Sequence, residues 1–589
     1  MKYSDLLCIW LKKLGYTHCF YLAGGNIMHL LESASRYFVC IPTVHEIAAG
    51  IAAEYFNEVG SDKKAFVLVT AGPGLTNVVT AIAGAFLESR ELLVIGGQVK
   101  CSDLSHGSVR QRGIQEIAGV EIVQPITKKS LRLSTPMGFN ELKYYVNECQ
   151  TPRKGPVFIE IPLDIQAATV SIEELTKKPY ELSSLKTVKC LAQQIDNVAK
   201  MIQKAKRPVI LIGGGISRKH INVIYDLICN KSLPFMTTWN GADRIGADHQ
   251  LYFGRPNTWG MRYSNILLQQ ADILIAVGTR LGLQQTGFNW QEFLPLGKVV
   301  QVECDMVELD KGHPKIDVKI CAEANHFLIN LLKFDLGDHR RWLNFCNEVK
   351  QSLPLIESCN KTSDGYISPY CFYDQLSKLC KQDDVIIPCS SGGAFTVAIH
   401  SFLQKKGQIV ISNKGLASMG YGLSGAIGSA VAMSPRRTIL FEGDGGFAQN
   451  IQEIGTAVIN KLNLKMFIFE DRGYASIRMT QSNYFNGKYV GCDTETGLGL
   501  PNWEKLFAVY DVPCLRLSNE FHDCPTFLQL FNSSGVIAFL VPIDPKQTYF
   551  PKITSKITAT GSMESNPIHL MSPALTKDVM CKVGKFLIS

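Results

Sequence analysis

One unit recurs along this chain and limits what it can fold into. A short, wholly apolar run closes on a Gly- or Pro-rich turn, and a helical pattern follows. Three such runs lie in the first part, "AFVLVTAGPG" (65–74), "LLVIGGQV" (92–99) and "GPVFIEIPLDI" (155–165). Three follow in the middle, "RPVILIGGG" (207–215), "ADILIAVGTRLG" (271–282) and "KVVQVECD" (298–305). The last part carries "DVIIPCSSGG" (384–393), "TILFEGDGG" (438–446), "LKMFIFEDRG" (464–473) and "VIAFLVPID" (536–544). Continuous rather than alternating apolar runs belong to strands buried on both faces, and strands alternating with helices imply parallel sheets. The predicted fold class is therefore α/β, with three doubly wound parallel-sheet domains at 1–170, 190–345 and 369–550 and a tail at 551–589. Charged or mixed linkers separate the domains at 171–190 and 353–368, and the tail ends in a short helix. A length of 589 residues suits three or four domains at about 150 residues each. The opening "MKYSDLLCIWLKKLGYTHCF" has helical periodicity without a signal-peptide pattern, and no apolar stretch is long enough to predict a membrane span.

Composition narrows the function classes. The net charge of +8 is scattered, with no basic run or aromatic-interleaved stripe, so no nucleic-acid binding is expected. A mild attraction for anionic substrates fits that charge. The 18 cysteines include no Cys-x-x-Cys pair, which reads as free thiols in a reducing, cytoplasmic setting.

Ligands of open α/β sheets sit beyond the carboxyl ends of the strands, and Asp444 stands there between Gly443 and Gly445. Glycines let a backbone approach a ligand closely, and the following helix, opened by Asn450, Gln452 and Glu453, can turn its N-terminus to a phosphate. Alone, the motif also reads as a plain strand-to-helix turn. Asp471 follows 27 residues later, at the end of the next apolar run. One helix and one parallel strand fill that interval, so the two carboxylates should end neighbouring strands within reach of one ion. Mg²⁺ typically bridges one or two carboxylates to substrate phosphates, and a metal-held diphosphate is the predicted ligand.

This layout resembles the thiamine-diphosphate motif of the acetolactate synthase and pyruvate decarboxylase superfamily, in which Gly-Asp-Gly is followed one helix and one strand later by Asn-Asn. The resemblance spans nearly the whole chain. It implies a Mg²⁺ ion held by Asp444, Asp471 and the main-chain carbonyl of Gly473. One departure is plain: Glu470-Asp471 replace Asn-Asn and add negative charge beside the diphosphate. In "IPTVHEIAAGIAAEYFNEVG", Glu46 by itself reads as a residue complementing a helix dipole. The family pattern His-Glu-x-x-Ala-x-x-x-Ala, matched by His45, Glu46, Ala49 and Ala53, implies instead the carboxyl that activates the cofactor. "TAGPGLTN" (70–77) and "GIQE" (113–116) resemble the pyrimidine-side loop and an active-site glutamine, implying roles for Gly25, Pro73, Asn77 and Gln115. "SSGGAF" (390–395) and "GLASMGYGLSGAIGSA" (415–430) match as well, and the resemblance implies that Ser391, Gly392, Gly393, and at the acidic turns Gly443, Gly445, Gly446, Tyr474 and Ala475, surround the cofactor. Met419, otherwise simple core filler, then wedges between the two cofactor rings. In this family the two half-sites meet across subunits, so a homodimer or homotetramer is implied.

The resemblance extends to FAD in the middle domain, at Gly213, Gly214, Gly215, Gly278, Thr279, Arg280 and Glu303, although Gly-rich turns there also serve structure alone. Both Asp and the second Arg of the family's segment are missing from "RLGLQQTG" (280–287), where Gln284 replaces that Arg. On the acceptor side, Thr480 stands for a Trp and Leu163 for a Lys. Together these changes suit an acceptor without a small carboxylate. The segments "GQVKCSD", "VRQRGIQE" and "DRGYASIRMTQ" look closest to flavin-containing carboligases of surface-polysaccharide pathways, such as yersiniose biosynthesis. The expected reaction is decarboxylation of pyruvate and transfer of the acetyl unit to a ketone of a CDP-linked deoxysugar. Alternatives are acetolactate synthesis or 2-oxo acid decarboxylation, hydrolytic diketone cleavage, and a flavin- or nucleotide-binding protein without thiamine chemistry.

Overall fold

Each apolar run named above contains a β-strand, and each ends at or just before its Gly-rich or acidic turn. The computed structural model describes residues 1–60, 62–177, 192–557 and 561–587. The first sheet contains β1 (Tyr16–Tyr21), β2 (Val39–Pro42), β3 (Lys64–Val69), β4 (Leu92–Gln98), β5 (Lys129–Arg132) and β6 (Pro156–Pro162) in the order β2-β1-β3-β4-β6-β5. The second contains β7 (Pro208–Ile212), β8 (Phe235–Thr237), β9 (Ile273–Val277), β10 (Lys298–Glu303) and β11 (Val318–Cys321), ordered β11-β10-β9-β7-β8. The third contains β12 (Val385–Pro388), β13 (Ile409–Val410), β14 (Thr438–Gly443), β15 (Leu464–Glu470), β16 (Cys514–Arg516) and β17 (Ile537–Pro542), ordered β13-β12-β14-β15-β17-β16. All strand pairs within these three sheets are parallel, as the unbroken apolar runs require.

The structure corrects one expectation and adds two features. The opening segment is not one helix: Tyr3–Lys13 is helical, Gly15 turns the chain at φ 95°, and the aromatic, β-branched "YTHCFY" enters the sheet as β1. The edge strands β2, β5, β8, β11, β13 and β16 are short, and several are partly exposed, so they carry no long apolar signature. Nor is the tail an appendage. Lys552–Ile553 pairs antiparallel with Met571–Ser572, and the helix Lys577–Val583 packs on the middle domain. There Gln270 donates to the Val583 carbonyl at 2.9 Å and accepts from the Phe586 N–H at 3.0 Å. The first linker begins as a helix, Ile172–Lys177, and residues 178–190 lie outside the described residues.

The outer domains share a core. Helix Glu46–Val59 packs on helix Tyr421–Ala432, where Gly428 lies so close to the Ala52 backbone that a Cβ would overlap it. Between the helices, fully buried Glu54 accepts hydrogen bonds from Arg90, Asn413 and the Tyr421 hydroxyl. Removing one partner of such a buried charge pair typically costs about 3–5 kcal/mol, so this pair resists sliding of one domain on the other. Arg218 ties in the middle domain, meeting Asp243 beside it, Glu58 of the first domain and the Val410 carbonyl of the third. The cysteines among the described residues are free, and most are buried or half-buried. Among those residues no helix is long and apolar enough to cross a membrane.

Candidate active site

Strands β14 and β15 run side by side with Gly443 opposite Phe469, so Asp444 and Asp471 emerge from adjacent strand ends. Asp444 is fully buried and held by backbone donors. Its Oδ1 accepts from the N–H groups of Gly445 (2.7 Å) and Gly473 (3.2 Å), and its Oδ2 from Arg472 (2.8 Å). The loop that wraps it needs glycine at 473. The φ there is +146°, and a Cβ would run into the Cys492 carbonyl. The Gly473 carbonyl lies beside Gly445, so three oxygen-bearing groups gather at one point.

The electrostatics ask for a cation. Burial, and after it the neighbouring charge of Asp471, holds Asp444 well above the usual carboxylate range. Burial likewise raises Asp471, with Arg478 opposing the shift. A buried carboxylate pushed up further by a second carboxylate beside it is relieved by a divalent ion. The all-oxygen donor set fits Mg²⁺, which takes its remaining ligands from phosphate and water. Among the described residues no cluster of three or more His, Cys, Asp or Glu side chains could hold an ion unaided.

The other predicted diphosphate-side residues gather around this point. Strand β12 neighbours β14, and Ser391 opens helix Gly392–Ser401 beyond its end. Gly393 lies against the ring of Tyr549, leaving no room for a side chain. The Ser390 hydroxyl donates to the Ser418 carbonyl, which brings this turn to Met419. Gln449 Nε2 lies 3.7 Å from the Met419 sulfur. Gly446, Tyr474 and Ala475 occupy the two turns that carry the carboxylates.

A second cluster forms at the carboxyl ends of β1, β2 and β3. Glu46 is 5% exposed, begins its helix behind the N-cap His45, and accepts from Asn77 Nδ2 at 3.0 Å. Pro73 opens the helix that carries Asn77. Asn26, next to Gly25, donates its N–H to the Thr70 hydroxyl at 3.2 Å. Gln115 is exposed at φ +64°, its backbone packed against Gly72.

Glu453 departs from expectation. Instead of lining a helix N-terminus that faces phosphate, it is fully buried and accepts from the backbone N–H groups of Val44 (3.1 Å) and His45 (3.0 Å) and from the Thr456 hydroxyl (2.7 Å). The turn after Asp444 is thereby tied to the backbone that leads into Glu46 of the same chain. Sequence reasoning missed this role and that of Tyr549, because each acts on a partner distant in sequence, and it missed Arg478, two helical turns beyond Asp471.

In the middle domain the predicted flavin residues do meet. Gly213 and Gly215 donate N–H bonds to the carbonyls of Val277 and Gly278, both at 2.9 Å, and Gly278 sits at φ +64°. A Cβ at Gly213 or Gly215 would strike Gly278, so these two glycines serve close strand packing. Gly214 is exposed, while Thr279 and Arg280 are half-buried. Glu303 does not fit the ribose role. Its carboxylate is 3.0 Å from Arg153 Nη2 and accepts the Cys304 N–H at 2.8 Å. On the acceptor side, Leu163 is half-buried, Gln284 Oε1 is buried without a partner among the described residues, and Thr480 is exposed.

Comparison with known families settles the kinship. Three family models match in chain order: thiamine pyrophosphate enzyme, N-terminal TPP binding domain, at residues 1–122; the central domain of the same enzymes at 195–331; and their C-terminal TPP binding domain at 391–538. The chain belongs to the thiamine pyrophosphate-dependent enzymes. Acetolactate synthases are among its relatives. It is 28% identical to the acetolactate synthase isozyme 1 large subunit of Escherichia coli over 90% of this chain and 92% of that protein. It is 29% identical to the acetolactate synthase large subunit of Porphyra purpurea, over 95% and 94%. It is 28% identical to a probable acetolactate synthase large subunit of Methanocaldococcus jannaschii, over 88% of each. In this thiamine-dependent enzyme each matched region falls on one of the three parallel-sheet domains, the central one spanning its whole sheet and the outer two leaving out strands at one end.

Proposed function

We propose that the protein is a Mg²⁺- and thiamine-diphosphate-dependent carboligase that decarboxylates pyruvate and transfers the acetyl unit to a carbonyl acceptor, a ketone of a CDP-linked deoxysugar. The observation that carries the thiamine reading is the pair of buried carboxylates at adjacent strand ends, with the Gly473 carbonyl beside them. Thiamine diphosphate, when bound, supplies a nucleophilic carbon and takes up the electron pair released by decarboxylation. Asp444, Asp471 and the Gly473 carbonyl are the proposed holders of the ion, and the Ser391–Gly393 turn is the proposed seat of the diphosphate. Glu46 would hold and return a proton at the cofactor's pyrimidine, with Asn77 orienting its carboxyl. Met419 would press on the cofactor, and Gln115, exposed at its loop, would meet substrate.

Within one chain, the contacts of Glu46 run to Asn77 and those of Asp444 to residues 445, 472 and 473. A homodimer, in which each chain lends Glu46 to its partner's diphosphate half, would complete the site. FAD is proposed for the groove at Gly213–Gly215 and Gly278–Arg280, with Glu303 outside the contact set because Arg153 holds it.

Acetolactate synthesis is the second reading, favoured by one observation besides the relatives. Lys552 is 9% exposed, and among the described residues its ammonium meets only the Met479 sulfur (3.2 Å) and the Phe550 ring. The next residue, Ile553, donates to the Thr258 carbonyl, and Thr258 donates to the carbonyl of Gln284. A buried cation on the segment that bonds to Thr258, itself bonded to the Gln284 carbonyl, suits a carboxylate on the acceptor. The deciding experiment is mass spectrometry of products from pyruvate, Mg²⁺ and thiamine diphosphate, with and without a CDP-4-keto-deoxysugar. A nucleotide sugar heavier by one acetyl unit, absent with Glu46→Gln, supports the first reading. Acetolactate with the sugar untouched supports the second.

A further inference from the structure

Asp471 stands where the family places a neutral asparagine, so the ion of the proposed site would face two carboxylates as well as a diphosphate. The structure surrounds Asp471 with more than Asp444. Arg478 lies on helix Ala475–Tyr484, which begins at the turn carrying Asp471. It is 7% exposed. Its Nη2 donates to the Asp471 carbonyl at 2.8 Å and reaches Asp471 Oδ1 at 3.4 Å. Its Nε donates to the Pro545 carbonyl at 3.0 Å, and its Nη1 is 4.0 Å from Asp493 Oδ2. Asp493 in turn pairs in an isolated β-bridge with Gly473, another proposed ligand of the ion. The guanidinium is thus fixed behind the site, touching the backbone of one ligand and the neighbour of another.

The adjacent acid follows the same pattern. Glu470, in place of the first asparagine, is gripped by both terminal nitrogens of Arg516, which also holds Glu504. Each carboxylate introduced at this motif therefore has its own arginine. Only Arg478 is buried, and only Asp471 faces the other carboxylate.

We propose that Arg478 is a positioning residue whose fixed positive charge lets a carboxylate, rather than a carboxamide, hold the metal beside a diphosphate. Two carboxylates cancel a divalent ion and leave the diphosphate's charge unmatched. A guanidinium does not lose its proton in a protein, and it restores the balance that an aspartate–asparagine pair has without it. Asp471 and Arg478 form one electrostatic unit, and neither is neutral to replace alone. The inference rests on the thiamine-diphosphate reading above.

The test is a double-mutant cycle on the full chain, read by calorimetric titration of thiamine diphosphate into metal-loaded, cofactor-stripped protein. Arg478→Gln is expected to weaken binding about 10–100-fold, the usual range for residues that support a metal ligand. The double variant Asp471→Asn/Arg478→Gln is expected within about twofold of the unaltered protein, a gap that marks coupled rather than independent sites. Asp471→Asn alone, keeping the arginine, should bind thiamine diphosphate more tightly than the double variant. That comparison stands even if Arg478→Gln does not fold. Equal affinities for those two variants, or a double variant as weak as Arg478→Gln, would overturn the proposal and leave Arg478 as a clasp between its helix and Pro545. Failure of the unaltered protein to bind Mg²⁺ and thiamine diphosphate would instead sink the functional reading beneath it.

Discussion

The first and third sheets are built alike and end differently. Counted from the start of each block, both run in the strand order 2-1-3-4-6-5. Strand β3 leads into "TAGPG" and its counterpart β14 into "GDGG", both followed by a helix. The first turn carries no charge, and Pro73 pre-sets a long helix, Pro73–Glu88. The other turn carries Asp444 and a single helical turn, Asp444–Phe447. At the next strand end the contrast repeats. Gln98 of β4 is satisfied within the domain, donating to Glu160 at 3.1 Å, whereas Asp471 beyond β15 faces another carboxylate. One topology thus delivers two turns to equivalent places. A few side chains then make one a wall that presents Glu46, with Glu160 paired to Arg132, and the other an anionic cup that needs a cation.

This division of labour can be broken most sharply at Glu46. Glu46→Gln is expected to lower product formation by about 10²–10⁴-fold, the span typical of losing an acid–base group, while thiamine diphosphate affinity stays within a few-fold. If affinity and turnover fall together, the two turns do not divide binding from proton handling. Asp444→Asn should do the reverse. Retention of thiamine diphosphate through gel filtration in Mg²⁺ should weaken about 10–100-fold, and excess metal should partly restore turnover.

The link between the two regions is the next target. Glu453→Ala removes the charged acceptor of the Val44 and His45 N–H groups, at a cost of about 1–3 kcal/mol in urea unfolding. Thr456→Val removes only the bond from the hydroxyl and should cost less. If the two variants are equal, Glu453 does not anchor the approach to Glu46.

The smallest effect sharpens the contrast through pH. Asp444 and Asp471 hold protons more tightly in the metal-free fold than in the unfolded chain, since both are raised above 3.8 and Asp471 reaches about 7. The folded state then binds more protons over that interval, so stability falls as pH rises from about 4 towards 7, with a slope of about 1.4 kcal/mol per pH unit at most for each group. Thermal melts of metal-free protein should show the decline. Mg²⁺ with thiamine diphosphate, or Asp444→Asn, should flatten it. An unchanged slope in Asp444→Asn would assign the decline elsewhere, Glu442 being the alternative because burial pushes it to about 8.

The sequence by itself determined the three sheets and the strand ends from which Asp444 and Asp471 emerge. Both are local properties. A continuous apolar run is buried on two faces wherever it lies, and a turn that directly follows it must leave from the sheet's end. The pairing of Glu46 with Asn77 was open to the same reasoning, since each begins or follows such a turn. Only the tertiary structure decided what those side chains meet. Glu453 reaches Val44 and His45 across most of the chain, Arg153 occupies Glu303 from another domain, and the tail returns to cap the middle sheet. No periodicity encodes these contacts. They arise where helices and loops of separate domains close on one another, and burial leaves each charged group to find whatever partner that closure provides.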